Sequence, residues 1–198
     1  MKRDYHQPFV ENQFYHILNR GNNKEKLFYK RDNYHYFLLK YNDYLSDYLD
    51  MYAYCLMPNH FHLLVQVKTI DAIDSIIDVN KKIGEQFRKF FLSYAQAINK
   101  QQGRTGSLFQ KPFKRILILD HNHLLYLVYY IHSNPQRHGF IDDFKQYPFS
   151  SYQRFLDDRK TKLFKKQVLG WFDSTEEFIK FHQEIQSLSD IDYALIDD

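Results

Sequence analysis

The chain has 198 residues, 44% of them hydrophobic and 26% charged, with a formal net charge of +3, a balance that fits a globular protein and not a disordered or membrane-embedded one. Its single cysteine, Cys55, excludes an intrachain disulfide and any multi-cysteine zinc site, and no apolar run reaches the length of a signal core or a membrane span. The expectation is one globular unit with a proper core, located in the cytoplasm without an oxidising environment.

In chain order, Phe14 to Asn19 reads as a first strand, ended by the turn-forming Arg20-Gly21-Asn22-Asn23. Asp32 is placed to cap a helix carrying Tyr34, Phe37, Leu38, Tyr41 and Leu45 at helical spacing. Met51 to Met57 forms a second strand, Pro58-Asn59 breaks it, and His60 to Val67 returns as its hairpin partner. A long basic helix follows from Lys81 to Gln102, with Ile83, Phe87, Phe90, Phe91, Tyr94 and Ile98 on its inner side. After the loop Gly103 to Ser107, Phe113 to Leu119 is a fourth strand.

Asp120 to Asn122 starts a helix that turns Leu124, Leu127, Val128 and Ile131 inward. It is expected to stop at Asn134, because Pro135 disfavours helical geometry in the residue before it. Ser151 to Leu156 reads as a short helix, and Ser174 with Glu177 has capping-box spacing for a last helix through Phe178 and Phe181. The order β-α-β-β-α-β-α predicts an α+β fold: a ferredoxin-like split βαβ with a mainly antiparallel sheet and helices packed on one face. The expected domain covers residues 1–155, with a C-terminal helical, acidic appendage over 156–198.

Charge is unevenly spread. From Lys81 to Arg115, nine bases face the single acid Glu85, a net of +8, whereas from Asp173 to Asp198 eight acids face Lys180 alone, a net of −7. The basic segment, interleaved with Phe87, Phe90, Phe91, Phe109 and Phe113, suits a polyanion held by cations with bases stacked on rings. A solvated helix face over core phenylalanines has the same pattern. Within the segment Lys81, Lys82, Arg88, Lys89, Arg104, Lys111, Lys114 and Arg115 are the DNA-binding candidates, the last four best placed for backbone phosphates.

The chemistry concentrates in two places. His60 and His62 stand at i and i+2 of a strand, so both project from one face and can grip one metal ion. A His-x-His pair alone equally describes two core histidines satisfied by neighbours. His121-Asn122-His123 repeats the pattern at a helix start, where i and i+2 do not share a face. It reads as a surface or capping feature. On the following helix Tyr130 and Asn134 are one turn apart, so a phenol and an amide can meet one site. Of Tyr126, Tyr129 and Tyr130, only Tyr130 has an amide at i+4.

Pro58-Asn59-His60-Phe61-His62-Leu63-Leu64, then Gly106-Ser107-Leu108-Phe109-Gln110, then Tyr130-Ile131-x-x-Asn134-Pro135-x-Arg137 together resemble the single-tyrosine transposases of bacterial insertion sequences. The branch associated with repetitive extragenic palindromes is the most similar, through Asn19-Arg20-Gly21-Asn22-Asn23 and Tyr147-Pro148-x-Ser150-Ser151 as well. The resemblance spans roughly residues 14–155. It implies that His60, His62 and Asn134 bind a divalent metal, Mg²⁺ or Mn²⁺, and that Tyr130 is the nucleophile. The implied reaction is cleavage and rejoining of single-stranded DNA beside a hairpin through a 5′-phosphotyrosine, with no nucleotide cofactor. Arg137 reads equally as a phosphate contact or as a surface arginine after a helix end. His138 departs from the small residue the family often has there, and the acidic end matches nothing in it.

A phenol with a pKa near 10 is a poor nucleophile at neutral pH, and a metal that polarises the phosphate eases its attack. Two rival readings follow from the same residues: a non-catalytic binder of structured DNA or RNA, and a metal-dependent hydrolase that uses water. Monomer and homodimer are both open, since the tyrosine can act within one chain or across two. A separation beyond about 10 Å between Tyr130 and the histidines of one chain would exclude a shared metal centre.

Overall fold

The computed structural model describes residues 4–69 and 78–187. Strands β1 (Phe14–Arg20), β2 (Leu49–Met57), β3 (His60–Val67) and β4 (Lys114–Ile118) form one sheet in the order β2-β3-β1-β4, with every neighbouring pair antiparallel. Helix α1 (Arg31–Leu45) joins β1 to β2 across the intervening β3, and α2 (Val79–Gln102) joins β3 to β4. This is the split βαβ arrangement expected from the element order.

Alternation along the strands divides the core in two. Phe61, Leu63, Val65 and Val67 of β3 join Phe37 and Tyr41 of α1 and Phe87, Phe90 and Tyr94 of α2 in one apolar cluster. Leu64 of β3, with Ala53, Cys55 and Met57 of β2, joins a second cluster on the other face. That face is covered by α3 (His121–Arg137), α4 (Tyr152–Leu156), α5 (Lys165–Trp171) and α6 (Thr175–Ser187). The expected one-sided arrangement therefore describes α1 and α2 only. β2 is apolar on both faces, and both must be withdrawn from water.

Local signals set most boundaries. Asn33 Oδ1 accepts from the backbone N–H groups of Tyr29 and Lys30, so α1 starts at Arg31 and Asp32 lies in its first turn. Asp78 caps α2 by accepting from Lys81 N at 3.0 Å, and Gly103 ends it in the left-handed region with φ 61°. Asp120 accepts from His123 N at 2.9 Å and opens α3.

Helix α3 does not stop before Pro135 but runs to Arg137. The ring costs the helix one N–H, yet His138 N donates to Asn134 O at 2.9 Å and Phe140 N to Pro135 O at 2.8 Å, so the last turn closes around it. Asn134 consequently lies inside the helix, one full turn from its end.

Helix α5 is an addition to the predicted elements. α6 is tied to α3 by a buried polar chain: His182 Nδ1 donates to Phe178 O (2.8 Å), His132 Nδ1 donates to His182 Nε2 (3.0 Å), and Ser151 Oγ donates to His132 Nε2 (2.8 Å). A carbonyl can only accept, so with both imidazoles neutral the Phe178 end sets the direction of the imidazole protons, and the single Ser151 hydroxyl proton is shared between His132 Nε2 and the more distant Tyr54 O (3.2 Å). Ser151 Oγ also accepts from Tyr54 N at 2.9 Å, which carries the link into β2. Asp190, Asp192, Asp197 and Asp198 of the acidic run lie outside the described residues.

Candidate functional site

The hairpin that presents the histidines is held by backbone donors from the neighbouring loop. Pro58 O accepts from Leu27 N (2.7 Å) and Phe28 N (3.1 Å), and Asn59 O accepts from Gly21 N (2.8 Å). Gly21 has no room for a side chain: a Cβ there would sit 2.1 Å from Glu25 O. In the sheet register Arg20 lies opposite His60 and Leu18 opposite His62.

Both imidazoles are 4% exposed, and their rings stand 5.4 Å apart at 81°. His60 Nδ1 lies 2.6 Å from Asn59 Oδ1, an acceptor, so Nδ1 carries the proton and Nε2 carries the lone pair. That Nε2 is buried without a hydrogen-bond partner. His62 Nδ1 lies 2.9 Å from His16 Nε2 on β1. Burial, helped by His138 and Arg20, pushes the His60 pKa down to about 3. Burial also holds His62 well below its usual value, with His16 and His60 adding to it. Both are neutral near pH 7, the form in which an imidazole can donate to a metal.

Tyr130 of the same chain packs edge-on against these rings, with centroids 5.5 Å from His62 and 5.9 Å from His16. The Tyr130 ring thus lies well within about 10 Å of His62, one member of the histidine pair. Asn134, 1% exposed, donates from Nδ2 to Tyr130 O at 2.7 Å, and its Oδ1 is buried without a partner. The Arg137 guanidinium lies 5.0 Å from the Tyr130 ring centroid.

A cleft of about 190 Å³ opens onto the histidines, lined by Asn19, Arg20, His60, His62, Gln110, Lys114 and His138 among others. Tyr130 and Asn134, both buried, are not part of its wall. Among the described residues no three His, Cys, Asp or Glu side chains are grouped to hold a metal. A three-ligand set would need the amide oxygen of Asn134.

The basic candidates separate. Lys114 lines the cleft, its ammonium 4.5 Å from the Tyr5 ring centroid. Arg104 is committed to Glu25 (2.5 Å) and Asn99 Oδ1 (2.8 Å), and Arg115 to the backbone carbonyls of Gln7 and His6. Lys89 pairs with Glu85 at 3.0 Å. Arg88 and Lys111 line a larger groove of about 820 Å³ that shares Asn19, Gln110 and Pro112 with the cleft, and Lys81 and Lys82 sit at the start of α2.

Arg20, Gln110 and His138 complete the cleft although none was singled out for a role there, and His16 was not singled out at all. His138, noted as a departure, lies 4.7 Å from His60. The signal for His16 was its alternation with Phe14 and Leu18 on an inward face, where a lone polar residue needs a partner.

The family model for IS200-like transposases matches residues 9–134. The chain belongs to the IS200-like transposase family. The matched span of this IS200-like chain contains His60, His62 and Tyr130 and ends on Asn134. A Haemophilus influenzae protein described as a REP-associated tyrosine transposase is 32% identical over 104 residues, which cover 52% of this chain and 58% of that relative. The match thus spans little more than half of the relative's length. The solved structure of a REP-associated tyrosine transposase bound to a REP hairpin superimposes with a TM-score of 0.59 at 17% identity, over 78% of this chain and 86% of that one. It shares the fold of this IS200-like chain. Among the described residues no helix is long and apolar enough to cross a membrane.

Proposed function

We propose that the protein cleaves and rejoins single-stranded DNA next to hairpins, with Tyr130 as nucleophile and a divalent metal, Mg²⁺ or Mn²⁺, held by His60, His62 and Asn134. The observation that carries this reading is the approach of the Tyr130 ring to within 5.5 Å of His62 in the same chain. The donor set fits a metal on its own terms. His60 Nε2 and Asn134 Oδ1 are buried lone-pair atoms with nothing to accept from, and such atoms are costly unless a ligand satisfies them.

The bound metal supplies Lewis-acid polarisation of the phosphate oxygens. Tyr130 Oη attacks phosphorus, the P–O3′ bond breaks, the phenolic proton leaves to solvent and the departing 3′ oxygen takes up a proton. The resulting phosphotyrosine is still a phosphodiester, so a 3′-OH can reverse the step without a nucleotide cofactor. Tyr130 is fully buried, so DNA binding must uncover its hydroxyl. Lys114 and Arg20 in the cleft wall are placed to position phosphates, with Lys111, Arg88, Lys81 and Lys82 beyond it. The proximity of tyrosine and histidines within one chain supports action in cis, by a monomer or by each subunit of a dimer.

Incubation with hairpin-bearing single-stranded DNA and Mn²⁺ should give a covalent adduct that survives denaturing electrophoresis. Tyr130→Phe should abolish it. An adduct retained in that variant overturns the assignment, and tight binding without any adduct under Mn²⁺ or Mg²⁺ replaces it with a non-catalytic binder.

A further inference from the structure

The hydrogen bond between His16 and His62 has two possible directions, and they differ in what His62 can do. His16 Nε2 and His62 Nδ1 are 2.9 Å apart, with rings stacked at 23° and 5.1 Å between centroids. Both side chains are buried, His16 to 1% exposure. If His16 donates, the proton of neutral His62 sits on Nε2 and no lone pair is left for a metal. If His62 donates, its Nε2 is a free lone pair and His16 is the acceptor.

We infer that His16 is a positioning residue that accepts the Nδ1 proton of His62, fixing the tautomer and ring orientation in which His62 Nε2 can ligate. The inference rests on the metal-site reading proposed above and deepens it. The two histidines of the pair are oriented in parallel ways: Asn59 Oδ1 takes the Nδ1 proton of His60, and His16 Nε2 takes that of His62. Each ligand then keeps its Nε2 lone pair. Partners of this kind raise ligand basicity, and their loss costs metal affinity as well as geometry.

His16 also stands against Tyr130, 5.9 Å between centroids at 81°, so one imidazole braces both the ligand and the phenol ring. Its place on β1, paired on one edge with β3 and on the other with β4, puts it on a strand held from both sides.

Two measurements on the full chain test this. Long-range ¹H–¹⁵N spectra of the side-chain imidazoles, taken without metal, should show His62 protonated at Nδ1 and His16 unprotonated at Nε2. A proton on His62 Nε2 overturns the inference whatever the metal does. Calorimetric titration with Mn²⁺ in the absence of DNA should show His16→Leu weakening binding by about 10–100-fold, while His16→Gln, whose side-chain oxygen can accept at the same place, recovers most of it. Wild-type affinity in a folded His16→Leu overturns the inference and leaves the metal site standing. If wild-type protein binds no Mn²⁺, or His60→Ala binds it unchanged, the metal-site reading itself fails.

Discussion

Asn134 and Tyr130 are joined across one turn of α3, where the Asn134 side-chain nitrogen donates to the Tyr130 carbonyl at 2.7 Å and so turns the amide oxygen away from the backbone, buried and unpartnered. On the proposed reading, the amide is oriented by the residue whose chemistry it would serve. Asn134→Leu should leave the helix intact, because a backbone carbonyl already bonded within the helix loses only a supplementary donor. Mn²⁺ affinity in that variant should fall by at least about tenfold, with a comparable loss of adduct formation. Unchanged affinity would remove Asn134 from the ligand set.

The buried chain through Ser151, His132 and His182 makes a second outcome calculable. His182→Leu leaves the His132 Nδ1 proton without an acceptor in a site closed to water, which costs about 1–3 kcal/mol. Urea unfolding should show that loss. It should also show a change in acid sensitivity. Burial lowers the pKa of His182 to about 3, against about 6.5 in an unfolded chain. Below pH 6.5 the unfolded chain therefore binds the extra proton, and the stability His182 contributes is lost as pH falls toward 3. The slope over that window should drop in His182→Leu by up to about 1.4 kcal/mol per pH unit. The groups facing it, His132, Tyr129 and Tyr152, remain in both proteins.

How far the sequence foretold this molecule depends on the kind of signal. β1 to β4, α1, α2 and the start of α3 were legible because each carries its own periodicity and is bounded by local breakers such as Asp120 and the loop at Gly103. Asp32, however, lies inside the first turn of α1, which Asn33 caps instead. The cover over the second face of the sheet was not legible as such. It is assembled from short pieces, α4 and α5 among them, whose apolar residues follow no long repeat. The end of α3 was misplaced because a local rule about residues before proline was outweighed by the closing bonds of His138 and Phe140. At the site, spacing set His60, His62, Tyr130 and Asn134 apart and the family resemblance gave them their expected roles, but His16 stood out by neither, since its meaning depends on which strand lies beside it. Charge was least informative about individual residues: the same +8 segment holds Arg104, spent on Glu25, and Lys111, exposed beside a groove.

That contrast can be measured. Lys111→Ala should weaken DNA binding across sequences and lower the salt slope of affinity by about 1, with stability unchanged. Arg104→Ala should do the reverse. It removes the link from Glu25 to the end of α2, so its melting temperature should fall while the salt slope stays near that of wild type.

Gly21 offers a test of how the hairpin is aimed. A methyl group there would meet Glu25 O at 2.1 Å, and because that atom belongs to the backbone it cannot swing aside. Gly21→Ala should cost about 1–3 kcal/mol through overpacking. The displaced loop carries the donors to Pro58 and Asn59, so Mn²⁺ affinity should fall along with the melting temperature. Lost stability with intact metal affinity would show that the histidines keep their aim without this loop.

Because Phe178, His182 and Ile185 close over the helix that bears Tyr130, order of synthesis has a consequence for the chain. Translation delivers roughly 5–20 residues each second from the N-terminus, and the sheet with both histidines emerges well before α6. Until residue 185 has left the ribosome the tyrosine helix lacks its lid and its His132 anchor. On the proposed transposase reading, competence to cut DNA is therefore deferred until α6 has emerged, and a nascent chain stalled near residue 140 should not form the covalent adduct.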